Sequence, residues 1–391
     1  MEFRERVLAA LNIKEPDRVP THTIYLDANN VDNILGKPIS TDFDLLEKTR
    51  RENPDNWAEK LSDLLESVET SIFSRCVEAA IEIGLDCMQI GIVPLNFIDD
   101  PKDDRVLMKD IFGRIWEAKN NEGNFNPYYL YGTVNTPKKW EETKESLQGP
   151  MTEKYTNMVK KFYRRINKKH KEKIFVIVTN DLAGVFESAS QGMGMTYYSK
   201  MLHKNPKFIK EIHQVIAEFT AACYSSYIDA GAEVFVESGD LAYHTGPMMS
   251  PKKFYETLQP AYKIITDAVH ERGCKIVLHT DGQITPLLDF IVDCGFDGLQ
   301  SLEPTAGVDL ALVKKKVGDK LCLMGNIDVA HVLTFGTKEE VFNAVKYAIK
   351  TAGPGGGFIV SAANMHPAVK VQNLQWMIEA TQKFGKYPIN L

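Results

Sequence analysis

The segment Lys275-Ile276-Val277-Leu278-His279-Thr280-Asp281-Gly282 constrains the fold more than any other stretch of the chain. An aliphatic, β-branched run that breaks into an imidazole, a carboxylate and a glycine reads as a parallel strand buried on both faces, with polar groups at its C-terminal tip. The same pattern recurs at 232–240, 321–326 and 358–364. Four strands ending in polar side chains point to one shared site at the end of a sheet.

Short apolar runs occur at 18–25, 86–93, 173–179, 232–237, 274–280, 297–302, 320–325 and 357–361, and helical periodicity separates the later ones. Ser250 caps a helix that Pro251 opens, and Thr337 with Glu340 forms a capping box for another. In that second helix Val341, Phe342, Val345, Ala348 and Ile349 share a face, and the glycine-rich run 353–357 stops it. The βα repeat predicts an α/β fold closed as a (β/α)8 barrel, with 1–391 as a single domain. The segment 105–119 reads as a two-stranded excursion turning at Phe112-Gly113-Arg114, whereas 120–150 is polar and weakly periodic. The region 94–150 is therefore expected to be an irregular insertion near the barrel mouth.

At 391 residues the chain has the length of a barrel with insertions. No apolar run approaches the ~18 residues that cross a bilayer, and the opening Met1-Glu2-Phe3-Arg4-Glu5-Arg6 has no signal-peptide core. A cytoplasmic protein without a membrane partner is expected. The six cysteines contain no CxxC pair, which predicts buried, reduced thiols. A formal charge of −6 argues against a general nucleic-acid partner. The run 160–171 is nevertheless strongly basic, reading as a solvated helix face or a dock for an acidic partner.

His279 and Asp281 stand two apart at a strand end, so continued strand geometry points both to one side. That pair suits either Zn²⁺ ligation or acid/base work. Cys274 and Cys322 lie near the starts of their strands and should face the bottom or middle of the barrel. Further ligands beside His279 must then be oxygen or nitrogen donors. Glu237 is the nearest carboxylate by topology, and Asp240, His244, Glu303 and His366 are alternatives. Asn326 is placed to point into the mouth, while Asp328 reads as a cap. The glycines 355–357 follow a helix, so they do not form a phosphate loop, and no dinucleotide fingerprint is present.

Several strings resemble the uroporphyrinogen decarboxylase superfamily: Glu15-Pro16-Asp17-Arg18-Val19-Pro20, Gly239-Asp240-Leu241-Ala242-Tyr243-His244-Thr245-Gly246 followed by Ser250-Pro251, His279-Thr280-Asp281-Gly282, Gly325-Asn326-Ile327-Asp328 and the closing Gly-Gly-Gly-Phe-Ile-Val. The resemblance implies a distorted (β/α)8 TIM barrel and one of two activities, porphyrinogen decarboxylation or corrinoid-dependent methyl transfer. Decarboxylases of the family carry an arginine-rich motif after the first strand, where this chain has Thr21-His22-Thr23-Ile24-Tyr25-Leu26-Asp27-Ala28-Asn29. Thiol-activating methyltransferases of the family bind zinc through His-x-Cys and a later Cys; here the positions hold His279, Asp281 and the run Ala362-Ala363-Asn364-Met365-His366. Loss of soft thiolates favours a harder site acting on oxygen.

By that resemblance the chain is expected to move a methyl group from a small methylated donor, such as a methoxylated aromatic, to the cobalt of a separate corrinoid protein. Decarboxylation and methylcobalamin:thiol transfer are the alternatives. The implied catalytic residues are His279, Asp281 and Asp240; the substrate residues Asn326, His244, Tyr243, Glu303 and Asn364; the metal ligands His279, Glu237, Asp281 and His366. Zn²⁺ and a cobalamin carried by the partner are the implied cofactors, and family barrels often pair as homodimers. Tyr25, Phe186, Tyr243 and Met365 would suit an aryl ring, and the basic run would guide an acidic corrinoid subunit.

Overall fold

The computed structural model describes residues 1–36, 42–92, 95–98, 105–121, 124–180 and 184–391. Eight parallel strands close a barrel: β1 (Thr21–Thr23), β2 (Cys87–Ile90), β3 (Phe175–Thr179), β4 (Val234–Ser238), β5 (Lys275–Thr280), β6 (Gly298–Ser301), β7 (Cys322–Ile327) and β8 (Phe358–Ala362), each beside its neighbour in sequence and β1 paired to β8. Each of the eight expected runs overlaps one of these strands, and those at 232–237, 320–325 and 357–361 end one or two residues short of the strand tip. The first is shorter than its run because Pro20 has no N–H for the ladder and Asp27 already caps the next helix.

Alternation along the strands sorts side chains into two cores. Cys87, Phe175, Ile177, Val234, Val236, Val277, Cys322, Met324 and Ile359 fill the inside, together with Val7, Ala10 and Leu11 of the N-terminal helix Phe3–Leu11. That helix stoppers the barrel at the N-terminal end of its strands, a role its charged sequence conceals because only one narrow face is apolar. Phe235, Ile276, Leu278, Leu299, Leu323 and Val360 point outward into the helical layer. All six cysteines are buried and free. Cys322 lies inside as expected, but Cys274 belongs to the outer layer, where its thiol donates to the Ala232 carbonyl.

Beneath the barrel, the fully buried Asp86 carboxylate accepts from Arg6, from both terminal nitrogens of Arg18, and from the amide and hydroxyl of Thr21. The last glycines close the same end. Gly356 has φ +80, and a Cβ there would sit 2.5 Å from the Lys14 backbone. The capping boxes and caps at Thr337, Glu340 and Ser250 form as the sequence predicts.

After β2 the chain leaves the barrel as a four-stranded antiparallel meander, Leu95–Ile98, Leu107–Asp110, Arg114–Asn121 and Asn124–Gly132. The hairpin turning at 112–114 was legible in sequence. The remainder was not: 124–132 is an edge strand and Pro137–Gln148 a helix. The strand tolerates Pro127 because an edge needs only one ladder, and the helix buries just Trp140 and Leu147, too few for a clear period. The meander has its own apolar cluster around Trp57, Phe97, Met108 and Trp116, with the Asp110–Arg114 ion pair buried in it. It docks on the helix Val185–Met193 through the Tyr129 hydroxyl, which donates to the Gln191 carbonyl at 2.8 Å.

The basic run lies on the helix Pro150–His170, whose basic last turn precedes β3 and so sits at the closed end of the barrel, away from the mouth. Lys160 pairs with Asp229 and Lys169 with Glu78. The solvated-face reading describes this segment, and it is not positioned to guide a partner to the strand tips. No helix among the described residues is long and apolar enough to cross a membrane.

Candidate active site at the barrel mouth

The last inward position of every barrel strand is polar: His22, Gln89, Thr179, Ser238, His279, Gln300, Asn326 and Ser361. Directly below them the inward positions are almost all apolar. Three pairs of neighbours in this ring bond to one another. Thr179 and Ser238 hydroxyls lie 3.1 Å apart, His22 Nδ1 is 2.9 Å from Ser361 Oγ, and His279 Nδ1 bonds Gln300 Oε1. The Gln300 amide N–H groups go to the carbonyls of Ala362 and Ala363, which fixes Oε1 as the acceptor and Nδ1 of His279 as a donor. In a neutral ring, Nε2 is then the basic nitrogen.

Above the ring, Asp281 Oδ1 accepts from Ser301 at 2.5 Å and Oδ2 from the Asn364 amide, while the Asp281 N–H donates to Asp240 Oδ1 at 2.8 Å. Asp240, His279 and Asp281 each offer one ligand atom, all within 4.8 Å of one another, the one such group among the described residues. Gly282, at φ +87, lets the chain pass beneath the Ala242 carbonyl, which a Cβ would approach to 2.5 Å. Burial is the main cause that raises the Asp281 carboxyl above the usual aspartate range; His279 opposes the rise and Asp240 adds to it. Two carboxylates around an imidazole can share a proton or hold a cation.

The other expected residues divide. Asn364 joins the group through Asp281. Glu303 holds the loop by accepting from the Gly282 N–H and the Thr305 hydroxyl. Asn326 is in the ring, its amide donating to the Leu302 carbonyl. Tyr243 and His244 are exposed on the hairpin Ala242–Tyr243/Gly246–Pro247. Asp328 accepts from the His331 N–H, as a cap does. His366 turns to the Thr334 hydroxyl and the Ala368 N–H, outside the three-residue group. Phe186 is core, packed on Tyr198 and Phe254.

Glu237 departs most from expectation. Strand alternation turns it outward, opposite to Ser238, and it accepts from Asn180 (2.6 Å), the Val185 N–H (2.9 Å) and Tyr224 (3.3 Å). Asp240, two residues beyond Ser238, takes the place beside His279. Topological adjacency was a sound guide to the strand but could not settle the face. Gln300, Ser301, His22 and Gln89 were missed, although the polar strand-tip signal that exposed His279 marks them too.

Full burial raises the Glu237 carboxyl from 4.5 to about 7, against the pull of its three donors. A carboxyl raised on folding binds a proton that the unfolded chain has released, so stability falls as pH rises through that window. The shift corresponds to on the order of 3 kcal/mol. Relative to Glu237→Gln, the wild type is expected to lose about that much between pH 4.5 and 8 in urea unfolding. Parallel pH profiles for the two proteins would remove Glu237 as the source.

The uroporphyrinogen decarboxylase (URO-D) family profile matches residues 133–384. The chain belongs to the uroporphyrinogen decarboxylase family. It is similar to the methylcobamide:CoM methyltransferase MtaA of Methanosarcina barkeri, 26% identical over 211 residues that cover 54% of this chain and 59% of that protein. It is also similar to a uroporphyrinogen decarboxylase of Coxiella burnetii, 24% identical over 205 residues, covering 49% of this chain and 52% of that one. The chain thus spans little more than half the length of these curated relatives. Among solved structures, a methyltransferase from Methanosarcina mazei shares the fold at a TM-score of 0.68 and 17% identity, covering 98% of this chain and 99% of that one.

Proposed function

We propose that this family member is a methyltransferase that takes a methyl group from a small methyl ether and delivers it to the cobalt of a separate corrinoid protein. The observation that carries the reading is the cluster of His279, Asp281 and Asp240 at the mouth of the barrel, a nitrogen and oxygen donor set without thiolate. Similarity to a methylcobamide:CoM methyltransferase supports methyl transfer as the class.

When a methyl group leaves an ether, the electron pair of the C–O bond stays on oxygen, which then needs a proton or a neighbouring positive charge. Asp281, its carboxyl raised above the usual aspartate range by burial and by Asp240, is the group suited to carry that proton. Gln300 orients His279, and Ser301 and Asn364 orient Asp281, so neither group must reorganise as charge develops. One imidazole nitrogen and two carboxylate oxygens also fit Zn²⁺, with Gln300 serving as the oriented outer partner of the histidine. Zn²⁺ held by His279, Asp240 and Asp281 would supply Lewis acidity at the leaving oxygen.

Mixing the protein with a Co(I) corrinoid protein and methoxylated aromatics should produce the methylcobalamin absorption spectrum. No spectral change with any methyl ether counts against the reading. Transfer from methylcobalamin to a thiol is the second reading, favoured by the named activity of the MtaA relative. Demethylation of methylcobalamin by a thiol, without ether cleavage, would establish it instead. A porphyrinogen carries many carboxylates, which an arginine cluster would neutralise; the segment 21–29 has no arginine and the described group at the mouth is acidic.

A further inference from the structure

Inside the barrel, on adjacent strands β1 and β2, two buried polar atoms have no hydrogen-bond partner: His22 Nε2 and Gln89 Nε2. Their side chains are 0% and 2% exposed, so solvent at the surface does not satisfy them. Leaving such groups bare costs their full desolvation penalty, a cost a fold retains where something else completes the bonding.

The network around His22 specifies what that must be. Ser361 Oγ donates its hydrogen to the Ala362 carbonyl at 2.8 Å, so toward His22 it can only accept, and His22 Nδ1 carries the ring proton. Burial, with the charge of nearby His279, lowers the His22 pKa to about 3, which keeps the ring neutral. Nε2 is therefore a bare lone pair that requires a donor. Gln89 Nε2 is an amide nitrogen that requires an acceptor. A hydroxyl is the smallest group that answers both, donating its hydrogen to His22 and accepting from Gln89.

We infer that His22 and Gln89 form a hydroxyl-recognition subsite in the same ring of strand-tip side chains as His279, and that the ligand entering the barrel is a methyl ether bearing a separate hydroxyl. The methyl-ether half of this statement rests on the proposed function; the hydroxyl half rests on the two unpartnered atoms. A site built to bond a hydroxyl rejects the analogue that lacks it, because its own polar groups are then left bare.

The test is calorimetric titration of the full chain with the three methoxyphenols against methoxybenzene, and with 2-methoxyethanol against 1-methoxypropane, in the wild type, Gln89→Leu and His22→Phe. At least one hydroxylated member is expected to bind ten-fold or more tighter than its partner, with the preference lost in Gln89→Leu. Because His22→Phe could disturb packing, Gln89→Leu carries the decision, with its thermal melt as the folding control. Absence of hydroxyl preference in every set, including absence of binding, overturns the inference: the two atoms are then hydrated by an ordered water. Hydroxyl preference without methyl transfer to Co(I) keeps the subsite and removes the proposed function. Ether cleavage indifferent to Gln89 does the reverse.

Discussion

His279→Ala is expected to lower methyl transfer to the corrinoid by roughly 10²–10⁴-fold, the range for removing a positioned acid, base or charge from a reacting centre. The imidazole joins the two parts of the site: Gln300 holds its Nδ1 side, and Asp240 and Asp281 gather around it. Without it the influence that opposes the rise of the Asp281 carboxyl is lost, and burial and Asp240 raise that carboxyl further. His279 is partly exposed at the rim of the barrel, so folding should survive. Stopped-flow spectra of methylcobalamin formation provide the rate, and circular dichroism with a thermal melt provides the control. Zn²⁺ titration separates the two chemistries. A metal site predicts affinity lost in His279→Ala and Asp240→Asn alike, whereas a proton site predicts no Zn²⁺ dependence of the rate. Undiminished transfer by a folded His279→Ala protein would exclude the cluster as the reacting centre.

The largest effect on stability is expected from Asp86→Ala, at about 3–5 kcal/mol, the usual cost of stripping one partner from a buried ion pair. Asp86 is fully buried and collects Arg6, Arg18 and Thr21 at the point where β1, β2 and the N-terminal helix meet. Arg6 would keep Asp17, 2.7 Å away, but Arg18 and the Thr21 amide would lose charged acceptors in a dry environment. The helix Phe3–Leu11 that stoppers the barrel is tied down by the same contacts, so loss of Asp86 also loosens the base of the barrel. The midpoint of urea unfolding measures this. A shift within the ±0.5 kcal/mol typical of surface substitutions would show that the base of the barrel is held by packing alone.

The barrel was legible because its signals are local. Eight β-branched runs, glycine stops and cap residues each act within a few neighbours, and a closed parallel sheet is the arrangement that buries all of them. The antiparallel meander was legible only at its 112–114 turn. The strand 124–132 is defined by what it pairs with, since its own alternation is weak.

Within the site, the sequence by itself determined that His279 and Asp281 share a side, since residues two apart at the end of one strand do so regardless of the rest of the chain. It also determined that neither position 281 nor the run 362–366 supplies a thiolate. Only the tertiary structure decided that Asp240 rather than Glu237 completes the group, that His366 turns away, and that His22, Gln89 and Gln300 complete the ring. These depend on register across non-adjacent segments and on the face each strand turns inward, and a one-residue change of phase would exchange Glu237 for Ser238 at the mouth.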